Sequence, residues 1–316
     1  MNQPPDAPKV SVCVITYNQA KYIGQCLQSL VEQKTNFEFE VIVGDDRSTD
    51  ETPRIVHDFA KRYPQIIRPI LHTSHVGGTK NNLAVHSLAR GEYVAHVDGD
   101  DVAFPGKLQR QASFLDDNHE CVVVWHRLET FNDAGTIRYV GLARLEEVID
   151  TAHITQSDFL RYGTLGYPSS MMYRRANGPD FSAWIGDVLD FSMSVELLRS
   201  GYAVNLNEVL GGYRHNVNVA SLSKTQQRRA PGSILFAKHL RTMLDAMPSE
   251  RGNIFVNATT HLLADVKHRR PTALLFLELV IRSFTPRELV GLPAHVRGMM
   301  KLRTVPPTSS SGSSHR

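Results

Sequence analysis

Residues Val10–Asn18 read VSVCVITYN. The first seven form a β-branched, mostly apolar run, as expected for a buried strand. The run ends in Thr16, Tyr17 and Asn18, three polar groups at a strand's carboxyl end. A helix pattern follows, with Ile23, Leu27, Leu30 and Val31 on one face. Glu40–Gly44 (EVIVG) repeats the buried-strand signature and runs into Asp45 and Asp46. A second helix is expected from RSTDETPRIV, where Ser48 and Glu51 have capping-box spacing and Pro53 falls in the first turn. Ile66–His72 reads as an edge strand because of Pro69. Asn81–Ala89 reads as a helix, Tyr93–Val97 as a strand, Pro105–Asp116 as a helix and Cys121–His126 as a strand. Alternation of this kind defines an α/β sheet with crossover helices.

The pattern weakens from Phe131 to Tyr167, apart from a helix around Gln156–Tyr162. Phe191–Ser200 reads as a helix closed by Gly201 in a left-handed cap. Asn216–Gly232 is polar and expected to be mobile; Ser233–Arg303 is helical in composition, broken at Pro248, Pro271, Pro286 and Pro293. The tail, PPTSSSGSSHR, is low in complexity and expected to be disordered.

Composition bounds the function. With 41% hydrophobic and 21% charged residues, the 316-residue chain can build an ordinary core. Cys13, Cys26 and Cys121 are scattered; Cys13 and Cys121 lie in apolar strands and read as buried free thiols. The net charge of +3 carries no dense basic stripe, which argues against nucleic acid. The N-terminus shows no apolar leader, and Ala273–Ile281 is far shorter than the ~20 residues that span a bilayer. A cytoplasmic protein is expected.

Ligands of open α/β sheets bind beyond the carboxyl ends of the strands. The strand Tyr93–Val97 runs into Asp98, Gly99, Asp100 and Asp101, three carboxylates in four residues. Such a cluster suits a hard divalent cation bridging to phosphate, or else a solvated acidic turn. Asp45 and Asp46 suit a base amide or ribose hydroxyls, or else cap the following turn. In WIGDVLDF, Asp187 precedes a helix and suits either a general base or a dipole-stabilised N-terminus; Asp190 reads as a structural helix residue. In GGYRHN, Arg214 suits phosphate and His215 suits a metal, or the segment is a flexible loop. No GxxxxGK[ST] or GxGxxG follows any strand, which argues against nucleotidyltransferases and nicotinamide-dependent oxidoreductases.

In this order and spacing, VSVCVITYNQAKYIGQCLQSLVEQ, EVIVGDDRSTDET and GEYVAHVDGDDVAFPGKL resemble the N-terminal half of family 2 glycosyltransferases. The resemblance is close over Val10–Leu115 and looser to Ser223. It implies a GT-A fold: a Rossmann-like mixed sheet flanked by helices, here with a helical C-terminal extension. The implied organisation is a glycosyltransferase domain over residues 1–230 (nucleotide-binding half about 8–130, acceptor half about 131–230), a helical region over 231–303 and a tail over 304–316. The implied reaction is inverting transfer from a nucleotide diphosphate sugar, UDP-linked by preference, to a glycan, lipid-linked or protein-glycan acceptor. By the same resemblance, Thr16, Tyr17, Asn18, Asp45, Asp46, Lys80, Asp98, Gly99 and Asp100 bind the nucleotide. Asp100, Asp101 and His215 are metal ligands for Mn²⁺ or Mg²⁺, Arg214 faces the diphosphate and Asp187 is the base. The sequence departs from the family where His75 stands in place of Asn, where Lys80 and Asn81 replace an Ala-Arg segment, and where His215 directly follows Arg214. A non-catalytic binding module of the same fold remains the alternative. Arg282, Arg287, Arg297, Lys301 and Arg303 outnumber Glu278 and Glu288 among apolar residues, which suits either a cap on the domain or peripheral contact with the inner face of the cell membrane.

Overall fold

A computed structural model describes residues 7–134, 137–140, 144–179, 190–215 and 226–303, with backbone only for 137–140, 226–231 and 301–303. Its parallel half places β1 (Val10–Thr16) between β2 (Phe39–Asp45) and β4 (Tyr93–Asp98), with β3 (Ile67–Leu71) at the edge beyond β2. The chain winds outward from β1 to β3, then returns to lay β4 on the other side of β1. That reversal opens a crevice at the carboxyl ends of β1 and β4. Register aligns those ends: Thr16 lies opposite Asp45, and Ile15 opposite Asp98.

Beyond β4 the sheet turns mixed. β8 (Met172–Arg174) runs antiparallel to both β4 and β6 (Cys121–Phe131). β9 (Tyr202–Arg214) runs parallel to β6, and its last turn pairs antiparallel with β5 (Val102–Ala103), immediately after the acidic turn. β7 (Ile137–Val140) pairs with β6 off the main path. β8 and the thirteen-residue β9 are not evident in the sequence pattern.

Period two in the strands feeds two cores. Val10, Val12, Val14, Val41 and Val43 pack on one face, with α1 (Ile23–Val31), α2 (Thr52–Arg62) and α4 (Lys107–Asp117). Cys13 and Ile42 pack on the other, with α3 (Gly78–Ser87), α5 (Gln156–Tyr162) and α6 (Asp190–Leu197). Both faces are covered, which explains the mostly apolar runs. The C-terminal helices α7 (Gln226–Ala246), α8 (Arg251–Lys267) and α9 (Ala273–Ser283) insert Leu240, Ile254 and Phe276 into this second core; α10 (Glu288–Arg303) follows. All three cysteines are buried and free.

Several local expectations are corrected. Ser48 does not cap α2: its hydroxyl and N–H both serve Asp45, and the helix begins at Thr52 with Pro53 in its first turn. Gly201 has φ 178°, which is extended and no left-handed cap. A Cβ there would lie 2.5 Å from the Glu120 carbonyl oxygen, so the site excludes larger residues by space. Helix α7 already starts at Gln226, inside the segment expected to be mobile, and Pro293 sits within α10 without breaking it. Residues 216–225 and the tail from 304 lie outside the described residues.

Gly44 shows how tightly α3 is seated. A Cβ on it would meet Asn81 Oδ1 at 2.2 Å and Val85 Cγ1 at 2.6 Å, while Asn81 donates to the Gly44 carbonyl at 2.8 Å. Gly44→Ala should therefore destabilise the fold by about 1–3 kcal/mol, the range typical of overpacking. Urea denaturation will measure it; an unchanged midpoint would show that α3 shifts freely.

Candidate active site

The polar ends of β1, β2 and β4 meet at the crevice. Thr16 is buried and donates its hydroxyl to Gln19 Oε1 at 2.8 Å. Asn18 has φ 51°, a left-handed conformation that Asn tolerates. Its N–H donates to Ser48 Oγ at 2.8 Å, and its Oδ1 accepts from Thr49 N at 2.7 Å. Asp45 accepts from the Ser48 N–H at 3.0 Å. Asp46, buried, accepts from the N–H groups of Val76 (2.6 Å) and Gly77 (3.0 Å) and lies 3.0 Å from His75 Nδ1. Asn18, Asp45 and Asp46 thus tie the loops around the crevice to one another. Tyr17 is exposed at the rim, its ring centroid 4.6 Å from that of His75. Lys80 is exposed near the start of α3.

The acidic turn forms the floor. Gly99 has no room for a side chain: a Cβ would lie 2.6 Å from Gln19 Oε1 and 2.9 Å from the Ile15 carbonyl oxygen. Asp98 takes its backbone bond to Ser169 Oγ at 3.0 Å and faces His96 Nε2 at 3.1 Å through Oδ1. Burial and the charge of Asp98 push the Asp100 carboxyl up to about 6. Asp101 is buried, and burial with the charges of Asp98 and Asp100 raises its carboxyl well above the usual range. Its Oδ1 accepts the Arg214 backbone N–H at 2.8 Å, whereas its buried Oδ2 has no hydrogen-bond partner among the described residues.

Arg214 closes the turn from the end of β9. Its Nε donates to the Asp100 carbonyl at 2.8 Å, and its guanidinium reaches Gln25 and lies 3.6 Å from Asp133. The rings of Tyr22 and Phe131 flank it, with centroids at 4.7 and 4.4 Å. The preceding glycines serve packing: a Cβ on Gly212 would lie 2.7 Å from the Phe131 ring, and one on Gly211 2.9 Å from the Val102 carbonyl. The GGYR segment is therefore strand, not a flexible loop. The His215 N–H donates to the Phe131 carbonyl at 2.7 Å.

Among the described residues, no three His, Cys, Asp or Glu side chains converge as a ready-made metal cage. The orphaned oxygen of Asp101 and the raised carboxyl of Asp100 nevertheless mark a place short of positive charge, which a divalent cation carrying its own phosphate ligands fits.

Asp187 lies outside the described residues. Asp190 opens α6, reaches solvent and lines a small cleft with His96, Asn82, Trp125 and Ser194. Enclosure by protein and the charge of Asp98 push its carboxyl up to about 6. A carboxylate in a helix's first turn is commonplace, so Asp190 carries no distinguishing signal in the sequence. His96 lies on the same strand face as Asp98 by period two.

The mixed sheet, with its acidic turn at the crevice, is that of GT-A glycosyltransferases. The chain matches the family model described as glycosyl transferase family 2 over residues 11–177, more than half of its length, and belongs to that family. An uncharacterised protein of Mycobacterium tuberculosis is 43% identical over 127 residues, 40% of this chain and 37% of that protein. The poly(ribitol-phosphate) beta-N-acetylglucosaminyltransferase TarS of Staphylococcus aureus is 38% identical over 117 residues, 37% of this chain and 20% of TarS. These matches thus span well under half the length of either relative. The crystal structure of residues 1–349 of S. aureus TarS with UDP superposes with a TM-score of 0.63 at 21% identity, covering 93% of this chain and 90% of that one. A mannosyltransferase from Pyrobaculum calidifontis, in complex with GDP-Man and Mn²⁺, gives 0.51 at 18% identity, covering 95% and 88%.

Arg214→Lys keeps the backbone bond to Asp101 but loses the planar fork that reaches Asp100 and Gln25 together. The expected cost is about 1–3 kcal/mol of stability, from lost charged hydrogen bonds. Chemical denaturation that shows no change would remove Arg214 as the clamp of this turn.

Proposed function

We propose that the chain is an inverting glycosyltransferase that uses a nucleotide diphosphate sugar, UDP-linked by preference, and a hydroxyl acceptor on a glycan or lipid-linked glycan. One observation carries the reading: at the switch point of a GT-A sheet, the Asp98–Asp101 turn adjoins, through the His96–Asp98 contact, a small cleft that His96 lines together with Asp190. The 38% identity over 117 residues to TarS, a glycosyltransferase whose structure was solved with UDP, supports UDP as the nucleotide.

In this reading the rim of Thr16, Tyr17, Asn18, Asp45 and Asp46 shapes the nucleoside site, and Asp98 accepts from ribose hydroxyls. Asp100 and Asp101 Oδ2, the latter without a partner among the described residues, hold a divalent cation, Mn²⁺ or Mg²⁺, while Asp101 Oδ1 fastens the turn to β9. Bound there, the cation would offset the negative charge that grows on the departing diphosphate. Arg214 acts through the turn it braces; Lys80 and His215 flank the diphosphate side. The base is a carboxylate at the head of α6. Resemblance nominates Asp187, which lies outside the described residues; Asp190, three residues on, lines the cleft and is the second candidate. The base takes the proton from the acceptor hydroxyl as that oxygen bonds to the anomeric carbon and the carbon–diphosphate bond breaks on the opposite side.

Thermal shift with UDP, GDP, dTDP and CDP, each with and without Mn²⁺, tests the donor. A ligand at about 100 times its dissociation constant adds ~2.7 kcal/mol, and UDP with Mn²⁺ should stabilise the protein most. No response to any nucleotide would favour a non-catalytic glycan-binding module. If Asp190 is the base, Asp190→Asn should retain UDP binding and lose about 10²–10⁴-fold in kcat, as removal of a general base does; full activity in this variant together with inactivity of Asp187→Asn would assign the base to Asp187. The rate should fall as pH drops through about 6, where Asp190 takes up a proton. Because the Asp100 and Asp190 carboxyls are raised above their ordinary 3.8, their ionisation opposes folding, and their contribution to stability declines as pH rises from 3.8 to about 6.

No described helix is long and apolar enough to cross a membrane. Leu263, Val266, Leu274 and Ile281 are exposed on α8 and α9, with Lys267 and Arg269 at the end of α8. Such an apolar patch with basic neighbours supports peripheral contact with an anionic membrane. The protein should float with anionic liposomes and not with neutral ones, and Leu274→Glu with Ile281→Glu should abolish flotation. Native protein that stays at the bottom of the gradient in the presence of anionic liposomes would end the idea.

A further inference from the structure

Behind Asp98 a line of side chains runs into the core. Tyr173 Oη lies 2.9 Å from His86 Nδ1, His86 Nε2 lies 3.1 Å from His96 Nδ1, and His96 Nε2 lies 3.1 Å from Asp98 Oδ1. Tyr173, His86 and His96 are 1%, 4% and 3% exposed. The His86 ring stacks between the other two, with centroids 5.4 Å from His96 and 5.9 Å from Tyr173.

A neutral imidazole has one donor nitrogen and one acceptor nitrogen, so the line has only two self-consistent arrangements. In the first, the Tyr173 hydroxyl donates to His86 Nδ1, His86 Nε2–H donates to His96 Nδ1, and His96 Nε2–H donates to the Asp98 carboxylate. In the second, every bond is reversed: Asp98 must carry a proton, and Tyr173 must accept from His86. The tyrosine's own proton is then left in the core, because His86 is the hydroxyl's one hydrogen-bond partner among the described residues. An unpaired buried donor is costly, so the first arrangement prevails. Burial agrees with it: it depresses His86 well below the usual histidine range and raises the Tyr173 hydroxyl, keeping both groups neutral.

We propose that Tyr173 and His86 set the tautomer of His96, and that His96 is a positioning residue whose Nε2–H holds the Asp98 carboxylate in one orientation at the crevice. Oδ1 is thereby occupied, while Oδ2 of this partly exposed side chain has no partner among the described residues and remains to accept from a ligand. The consequence for nucleotide binding rests on the functional reading above; the relay itself does not.

Two experiments separate the claims. Long-range ¹H–¹⁵N correlation spectra of ¹⁵N-histidine-labelled protein, with no nucleotide present and signals assigned from His86 and His96 variants, should show both residues as Nε2–H tautomers. Tyr173→Phe removes only the hydroxyl and should produce a mixture of tautomers at both. An Nδ1–H on either histidine of the native protein, or an unchanged pattern in Tyr173→Phe, overturns the relay. Calorimetry with UDP and Mn²⁺ then reads the positioning role. His96→Leu should weaken binding about tenfold or more, the size of a lost hydrogen bond to a charged group, and His96→Gln, which keeps an N–H for Asp98, should recover to within about threefold. Equal losses in the two variants overturn the positioning role. Failure of the native protein to bind any nucleotide refutes the donor reading instead, and the tautomer spectra still decide the relay.

Discussion

Three carboxylates within four residues cannot be folded into one turn without a means of holding them together. At Asp98–Asp101 the means is Arg214. Its backbone N–H meets Asp101, its guanidinium meets the Asp100 carbonyl, and Tyr22 and Phe131 keep it in place. The brace is incomplete: Asp101 keeps a buried, unpartnered oxygen, and Asp100 keeps a raised proton affinity. A residual negative field at a strand end is what attracts a cation.

The rest of the sheet serves that turn. Gly99 lets the turn lie against Ile15 and Gln19, and Gly211 and Gly212 let β9 pass close to β5 and Phe131. β9 is paired along its length with β6, so Arg214 is delivered by a rigid strand, not a loop. On the nucleoside side, carboxylates that could have faced a ligand instead fasten loops to one another: Asp45 holds Ser48, and Asp46 holds the segment from His75 to Gly77. The rim is preorganised by the residue types expected to bind there.

The C-terminal helices share a core with the sheet. Leu240, Ile254 and Phe276 join the cluster that contains Val94 and Trp125, and Trp125 also lines the cleft beside Asp190. Packing of the helical region is thus continuous with the wall of the candidate acceptor side.

The N-terminal half was legible because its signals are local. Short, β-branched runs such as VSVCVIT and EVIVG read as buried strands, and the polar residues that follow them fall at the carboxyl edge by register. The DGDD motif marked a candidate site through its charge density. Tertiary structure decided the remainder, because the decisive partners are distant in sequence. Whether Arg214 is a free phosphate ligand or a brace depends on Asp101 and Asp100, 113 and 114 residues away. Whether Asp190 caps a helix or faces the chemistry depends on which wall of the cleft α6 joins. His96 is one apolar-strand residue among several until folding brings His86 and, from β8, Tyr173 behind it. Periodicity and charge are written along the chain, but the direction of a hydrogen bond and the field at a carboxylate are set by neighbours that only folding supplies.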